Sequence, residues 1–600
     1  MNLKQLCHMG SVGLTGRVIR LGVAALAVSG VLTACQGWST SATSGSPDNS
    51  AVSTNTPGTS ATSSPPPEWK QRPRLVVVFV IDGLPQRQVL AYRDQLGPDG
   101  FARFLDHGAW YADAHHGHAF TVTAAGHSVV LSGAYPSSTG IIANEWRDAM
   151  TGQPEYCTGD TRATYIGHAT QALDGTSPKN LKVDTVGDVL RRLDPRAKVI
   201  GISGKDRGAI LPAGHAGTAY MYMTQTGAFA SSTYYMPQHP AWVTAFNAEH
   251  PADRWFKKEW KPLLKEDAYK RSLPDRQPWY GVRNALPLMM GAPSDAVPNP
   301  PYYSQLLASP FADQLSLEFA RAAIEGEGLG QDEVPDILSI SLSGHDFVNH
   351  RYSAESRFSH DHFLQLDRML QEFFRDLDRK VGRDQYVALL TADHGFMPAP
   401  EQSAKQGLRS GKINGGQLLA RLNAGMEQNF GPGKWVSYSG SSLLLNKQLI
   451  SQQRADPDEV ANTARDLLME EPGIAVAYTR RELAEGSKPD GAFFTAARRS
   501  WHPDVSGDVQ YVVKPYWMFG SSTNVATHGS PYPYDTQVPI LSWGPRWVKP
   551  GRVDERVAAV DIAPTVAQWL GIAPPTTAEG VVLPVPVAAQ ASPKDKTERQ

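Results

Sequence analysis

Four short segments of this 600-residue chain offer carboxylate and imidazole side chains at spacings that suit metal chemistry. Asp346 and His350 would face the same way if they share one turn of helix. Asp393 and His394, followed by Gly395, come directly after the apolar run 386–391, where a strand-to-loop corner lets adjacent side chains reach one ion. Asp82 closes the apolar run 74–81, and His528-Gly529 closes the loop-like stretch 524–527. Taken singly, each has an ordinary reading: a strand-end Asp is a turn residue, and an Asp–His pair on a helix is a solvated pair. Taken together they provide three Asp and three His. Oxygen and nitrogen donors without thiolate suit catalytic rather than structural zinc. Two such ions about 3.5–4 Å apart would clamp the attacking and leaving oxygens of an in-line displacement.

A nucleophile candidate lies in the segment His118 to His127. Small residues follow Thr123, and then Ser128-Val129-Val130-Leu131, so a helix is expected to begin near Thr123. A helix start presents free N–H groups and partial positive charge, which favour phosphate oxygens. A threonine hydroxyl is a weak nucleophile at its own pKa, and metal coordination activates it. In isolation Thr123 reads equally well as a helix cap.

These residues need a frame. The runs 74–81, 336–340, 386–391 and 538–543 are apolar and rich in β-branched residues. A run without alternation fits a strand buried on both faces of a parallel sheet. Between them, Phe101, Phe104 and Leu105 recur at helical spacing, as do Phe363, Leu364, Leu366, Leu370 and Phe373. Asp561 is expected to cap a helix with Pro564 in its first turn. Strands alternating with helices predict an α/β fold, a mainly parallel central sheet flanked by helices. In such folds the ligand crevice lies at the carboxyl ends of strands, where Asp82, Asp346 and Asp393 fall. The segments near 145–200 and 225–300 read as capping insertions that wall the site.

The order Asp82, Thr123-Ala-Ala-Gly-His127, Gly140-Ile-Ile-Ala-Asn144, Lys205-Asp-Arg207, Asp346-x-x-x-His350, Asp393-His394-Gly395 and Thr527-His528-Gly529 resembles the alkaline phosphatase superfamily. It is most similar to the PafA-type branch of threonine-nucleophile phosphatases, beside the nucleotide pyrophosphatase/phosphodiesterases. The resemblance runs from about residue 73 to 575. It implies two Zn2+ per chain, one held by Asp346, His350 and His528, the other by Asp82, Asp393 and His394 with Thr123 as fourth ligand. It implies that Thr123 is the nucleophile, that Asn144 bonds a phosphoryl oxygen, and that Lys205 and Arg207 contact the transferred group. A Lys/Arg pair favours a dianionic monoester over a diester. The expected activity is therefore phosphate monoester hydrolysis through a phosphothreonine. The alternatives are a phosphodiesterase on the same site and, from another class, a lipoprotein that binds phosphorylated ligands without turnover. The presence of every ligand and of the nucleophile speaks against the last. Two positions depart from the family pattern: Ala125 stands where Pro is frequent, and Asn349 where Gly is usual. His127 and His215 read as structural.

A formal charge of −2 provides no basic field for nucleic acid. Cys7, Cys35 and Cys157 are the only cysteines, so the body of the chain has Cys157 alone. Lys4, Arg17 and Arg20 precede an apolar run at 21–32, which is short of the ~20 residues of a comfortable span and fits a signal peptide. Leu32-Thr33-Ala34-Cys35 looks like a lipobox with Cys35 as the lipidated residue. The expected organisation is a signal peptide over 1–34, a flexible tether over 35–72, a catalytic domain over 73–580, and a polar tail over 581–600. The product would be a monomeric outer-membrane lipoprotein, touching membrane through its lipid alone.

Overall fold

The computed structural model describes residues 69–586; the proposed signal peptide, Cys35 and most of the tether lie outside the described residues. Each expected apolar run is a strand of one nine-stranded sheet. The order is Gly551–Ala558, Ala109–His115, Ile540–Trp543, Tyr386–Thr391, Leu75–Ile81, Asp336–Leu342, Val199–Ser203, Thr218–Met223, Ala228–Ala230. Leu75–Ile81 is parallel to both of its neighbours, with Val80 opposite Ser341 and Thr391. Ile540–Trp543 is antiparallel to both of its neighbours, so the sheet is mixed.

Alternation explains why these strands are continuously apolar. Leu75, Val77, Phe79 and Ile81 enter one core, against Phe363, Leu370, Phe373 and Phe374 of the helix Arg357–Leu377. Val76, Val78 and Val80 enter the opposite core, against Val130, Leu190, Ile562 and Val566 from three other helices. Successive side chains of a strand point to opposite faces, so both sets must be apolar. Phe79 meets Phe373 and Phe374 edge to face at 5.7 and 5.6 Å between ring centroids.

Several boundaries differ from expectation. Trp69 is buried and its indole N–H donates to Asp194 at 3.2 Å, so the folded part begins inside the expected tether. The backbone N–H of Leu583 donates to Thr565 and its side chain is buried, so the first residues of the expected tail belong to the core. Asp561 does not cap the helix Ile562–Leu570. Its carboxylate accepts from the N–H groups of Ala558 and Val581, closing the short turn that precedes the helix. The 225–300 segment packs Trp260 and Tyr269 inward: the Trp260 indole donates to Asp361 at 2.6 Å, and the Tyr269 hydroxyl donates to the same carboxylate. A separate unit forms over 411–519. Helices Gly415–Phe430 and Pro457–Met469 cover a four-stranded antiparallel sheet and share its core.

Candidate active site

Asp82 ends the Leu75–Ile81 strand, and its N–H donates to the Leu342 carbonyl of the next strand. Asp393 follows Tyr386–Thr391 on the other side. Gly83 turns the chain away at φ +69°, in a space where a Cβ would stand 3.1 Å from that of Asp346. Its N–H donates to Asp393 Oδ1, and its carbonyl accepts from Asn349 Nδ2 at 3.0 Å. The unusual Asn349 thus ties the ligand-bearing helix to the first strand end. That helix, Gly344–Tyr352, places Asp346 and His350 on one face, with Asp346 Oδ1 3.4 Å from His350 Nε2.

The loop carrying His528 comes from more than 100 residues further along the chain. Val525 N–H donates to the His350 carbonyl, and Thr121 Oγ1 donates to the Ser530 carbonyl. His528 Nε2 then lies 3.5 Å from Asp346 Oδ1. His394 Nε2 lies 3.5 Å from Asp82 Oδ1 and 3.3 Å from Asp393 Oδ2. Two ligand groups emerge, Asp346–His350–His528 and Asp82–Asp346–His394, with donor atoms within 4.8 Å of one another in each. The six expected residues thus lie together, but the second group differs from expectation: Asp346 belongs to both groups, and Asp393, expected in the second, stands beside it with Oδ2 3.3 Å from His394 Nε2.

The donor chemistry fits divalent cations. His350, His394 and His528 each use Nδ1 toward a backbone carbonyl, of Ala526, Gly395 and Thr121 respectively. This fixes the tautomer and leaves Nε2 a lone pair aimed inward. Burial holds the imidazoles of His394 and His528 below the usual range, so they are neutral donors. Asp82 Oδ1, Asp346 Oδ1 and His394 Nε2 are buried without a hydrogen-bond partner. Burial, then the neighbouring Asp393 and Asp346, push the Asp82 carboxyl well up against the pull of Lys205. Such a cluster of buried carboxylates needs positive charge beyond one ammonium.

Thr123 is buried and opens the helix Thr123–Ser132, as its sequence suggests, and that helix packs on the cluster: a Cβ on Gly126 would stand 2.0 Å from the Asp393 carbonyl oxygen. Asn144 follows the turn at Gly140 and its Oδ1 accepts from the N–H of Ala124 at 2.9 Å. Lys205 Nζ lies 2.7 Å from Asp82 Oδ2 and 2.6 Å from Asp346 Oδ2, so it sits among the carboxylates. Arg207 donates to the Tyr156 hydroxyl, which in turn donates to Asp206. Tyr156 belongs to the 145–200 segment, which reaches the site by this route, whereas no residue of 225–300 lines the cleft above His350 and His528.

His127, read from the sequence as structural, lies one helical turn after Thr123 and contacts the Thr123 carbonyl, Ser341 Oγ and Asp393 Oδ2. One participant escapes a reading of the sequence. Asp535 accepts from the N–H and hydroxyl of Ser530, bracing the His528 loop, and burial pushes its carboxyl up to about 8. Nothing in its local sequence marks it.

The profile of the Type I phosphodiesterase / nucleotide pyrophosphatase family matches residues 76–531. Alkaline phosphatase PhoV of Synechococcus elongatus is 33% identical over 532 residues, 86% of this chain and 93% of that protein. Alkaline phosphatase PafA of Elizabethkingia meningoseptica is 31% identical, over 85% and 93%. A crystal structure of wild type alkaline phosphatase PafA superposes with a TM-score of 0.79 at 30% identity, covering 85% of this chain and 98% of that one. The chain belongs to the PafA-type alkaline phosphatases. In this alkaline phosphatase the helix starting at Thr123, the two Asp/His groups and the Lys205–Arg207 pair meet at the carboxyl ends of the central strands, where open α/β sheets bind ligands.

Proposed function

We propose that this alkaline phosphatase hydrolyses phosphate monoesters through a phosphothreonine on Thr123, with two zinc ions. One ion would be held by Asp346, His350 and His528, the other by Asp82, Asp393 and His394 beside Thr123. When bound, the cations supply Lewis acidity at both ends of an in-line displacement. Thr123 Oγ forms a bond to phosphorus as the bond to the ester oxygen breaks and the alcohol departs. Water then breaks the bond between phosphorus and Thr123 Oγ, releasing phosphate and restoring the hydroxyl. The Thr123 helix start directs partial positive charge to the phosphoryl oxygens. Asn144 is fixed by the Ala124 N–H and offers its amide N–H. Lys205 and Arg207 stabilise charge on the same oxygens, and a dianionic monoester gains more from them than a diester does.

The observation that carries this reading is the convergence of buried, unpartnered donor atoms from Asp82, Asp346 and His394 beside a helix that begins at Thr123. The test compares kcat/KM for an aryl phosphate and its bis-aryl ester. Monoester preference is expected, and its loss on replacing Lys205 and Arg207. A higher value for the diester would instead favour a phosphodiesterase, the reading suggested by the description of the matched family. The N-terminal sequence supports a lipid-anchored, exported enzyme. Fatty-acid labelling that disappears in Cys35→Ala is the expected outcome.

A further inference from the structure

A cleft of about 390 Å³ opens directly onto the first ligand group. Its floor is formed by Asn144, His350 and His528, and its lining includes neither Lys205 nor Arg207. The cleft therefore meets the cluster at its His350–His528 edge, with the cationic pair outside its lining. On the proposed mechanism a phosphoryl group held by that pair leaves this edge to the departing alcohol. The walls are apolar and aromatic: Phe120, Met397, Tyr511, Met518 and Phe519. Tyr511 and Phe519 stand with ring centroids 5.9 Å apart. Among the described residues no lysine or arginine lines the cleft, so nothing there would recognise a second phosphate or an acidic leaving group.

The walls are built rather than accidental. Tyr511 and Phe519 come from the 411–519 unit, whose own core holds its strands and helices in place. The tip of its hairpin reaches the Asn144 loop: a Cβ on Gly440 would stand 3.0 Å from that of Ala143, and Ser439 Oγ accepts from the Arg147 N–H. On the opposite wall, Phe120 lies over Gly529, where φ is +114° and a Cβ would come within 3.2 Å of its ring. Glycine beside His528 thus lets an aromatic ring lie against the metal-binding loop.

We infer that this cleft is a leaving-group subsite that takes the flat, uncharged aromatic alcohol of an aryl phosphate monoester. The inference rests on the phosphatase reading above. Rings on two walls would grip a flat substituent by offset or edge-to-face contact, in a cleft large enough for one small organic group. Methyl phosphate, which leaves the cleft empty, would use only the phosphoryl contacts.

The experiment uses the zinc-loaded full chain and its Phe120→Ala and Phe519→Ala variants. Turnover of 2-naphthyl phosphate and methyl phosphate is measured, together with inhibition by 2-naphthylphosphonate and methylphosphonate, which needs no chemistry. The unsubstituted enzyme should bind the naphthyl phosphonate about tenfold or more tightly than the methyl one. Each variant should lose most of that preference and a similar factor in kcat/KM for naphthyl phosphate, with methyl phosphate unchanged. Equal inhibition by the two phosphonates would overturn the subsite, as would equal losses on both esters. Failure of the unsubstituted enzyme to turn over either ester would instead overturn the phosphatase reading, and the subsite with it.

Discussion

The two sides of the Asp/His cluster differ in how they are held. Asp82, Asp393 and His394 have no exposed side-chain surface and stand on or just after adjacent parallel strands locked in register. His350 and His528 come from a helix and a loop, and their side chains are 17% and 6% exposed where they border the cleft. The enclosed group is fixed by the core of the sheet. The open group is fixed by backbone hydrogen bonds between distant segments, from Val525 N–H to the His350 carbonyl and from Met397 N–H to the Thr527 carbonyl. On the proposed mechanism a phosphatase can use this asymmetry: the rigid side would receive the nucleophile, and the accessible side would release alcohol and admit water.

The largest expected effect falls on Thr123, on the enclosed side. Thr123→Ala should lower kcat/KM for a monoester by about a thousandfold or more, since the displacement then has no hydroxyl at the helix start. Activity within a few-fold of the unsubstituted enzyme would remove Thr123 as the nucleophile. Next come the ligands themselves. Asp393→Asn and His528→Ala should each cost about a hundredfold or more, as loss of a metal ligand exceeds loss of its outer partners. Added zinc should restore His528→Ala in part and Asp393→Asn hardly at all, because only the open group is reachable without disturbing the sheet. Metal analysis should find about one ion in His528→Ala against two in the parent. Equal rescue of both variants would erase the distinction between the groups.

Smaller effects separate the groups further. Phe79→Ala should destabilise the fold by about 3–5 kcal/mol, through the cavity left beside Phe373 and Phe374, and should weaken metal retention at the enclosed group more than at the open one. Denaturant unfolding and metal analysis of the variant check both. Asp535 provides a pH test of the loop that carries His528. Its folded pKa, raised to about 8, exceeds the ordinary carboxyl value, so the native state holds the proton more tightly. Its contribution to stability is therefore complete below the ordinary value and is lost as pH rises through about 8. Asp535→Asn stays neutral throughout. Its melting temperature relative to the parent should rise by a few degrees over this window and level off above it. A difference that does not vary with pH would show that the Asp535 proton has no part in bracing the loop.

Much of this site is legible because strand ends and motifs coincide. The continuous apolar runs before Asp82 and Asp393 mark buried strands, and small residues after Thr123 mark a helix start. Asp346 and His350 fall on one helical face. What stays hidden depends on contacts between distant segments. The antiparallel strand Ile540–Trp543 has the same apolar pattern as the mutually parallel strands Leu75–Ile81 and Tyr386–Thr391, so direction cannot be read from it. The 411–519 unit does carry apolar strands, such as Ser442–Leu445 and Ile474–Thr479, but the contact of its hairpin with the Asn144 loop joins segments 292 residues apart, so its contribution to the cleft has no sequence signature. Lys205 is expected at the phosphoryl group, but without knowledge of the fold its place between Asp82 and Asp346 has no sequence signal. Asp535 reads as a loop acid until the fold buries it.

Thr123 is assigned to carry the phosphoryl group between the two halves of the reaction. Acid quench during monoester turnover, followed by peptide mapping, tests this directly. Phosphate is expected on the peptide containing Thr123, located on that hydroxyl and absent from Thr123→Ala. Turnover with no phosphorylated peptide, or with phosphate on another residue, would contradict it.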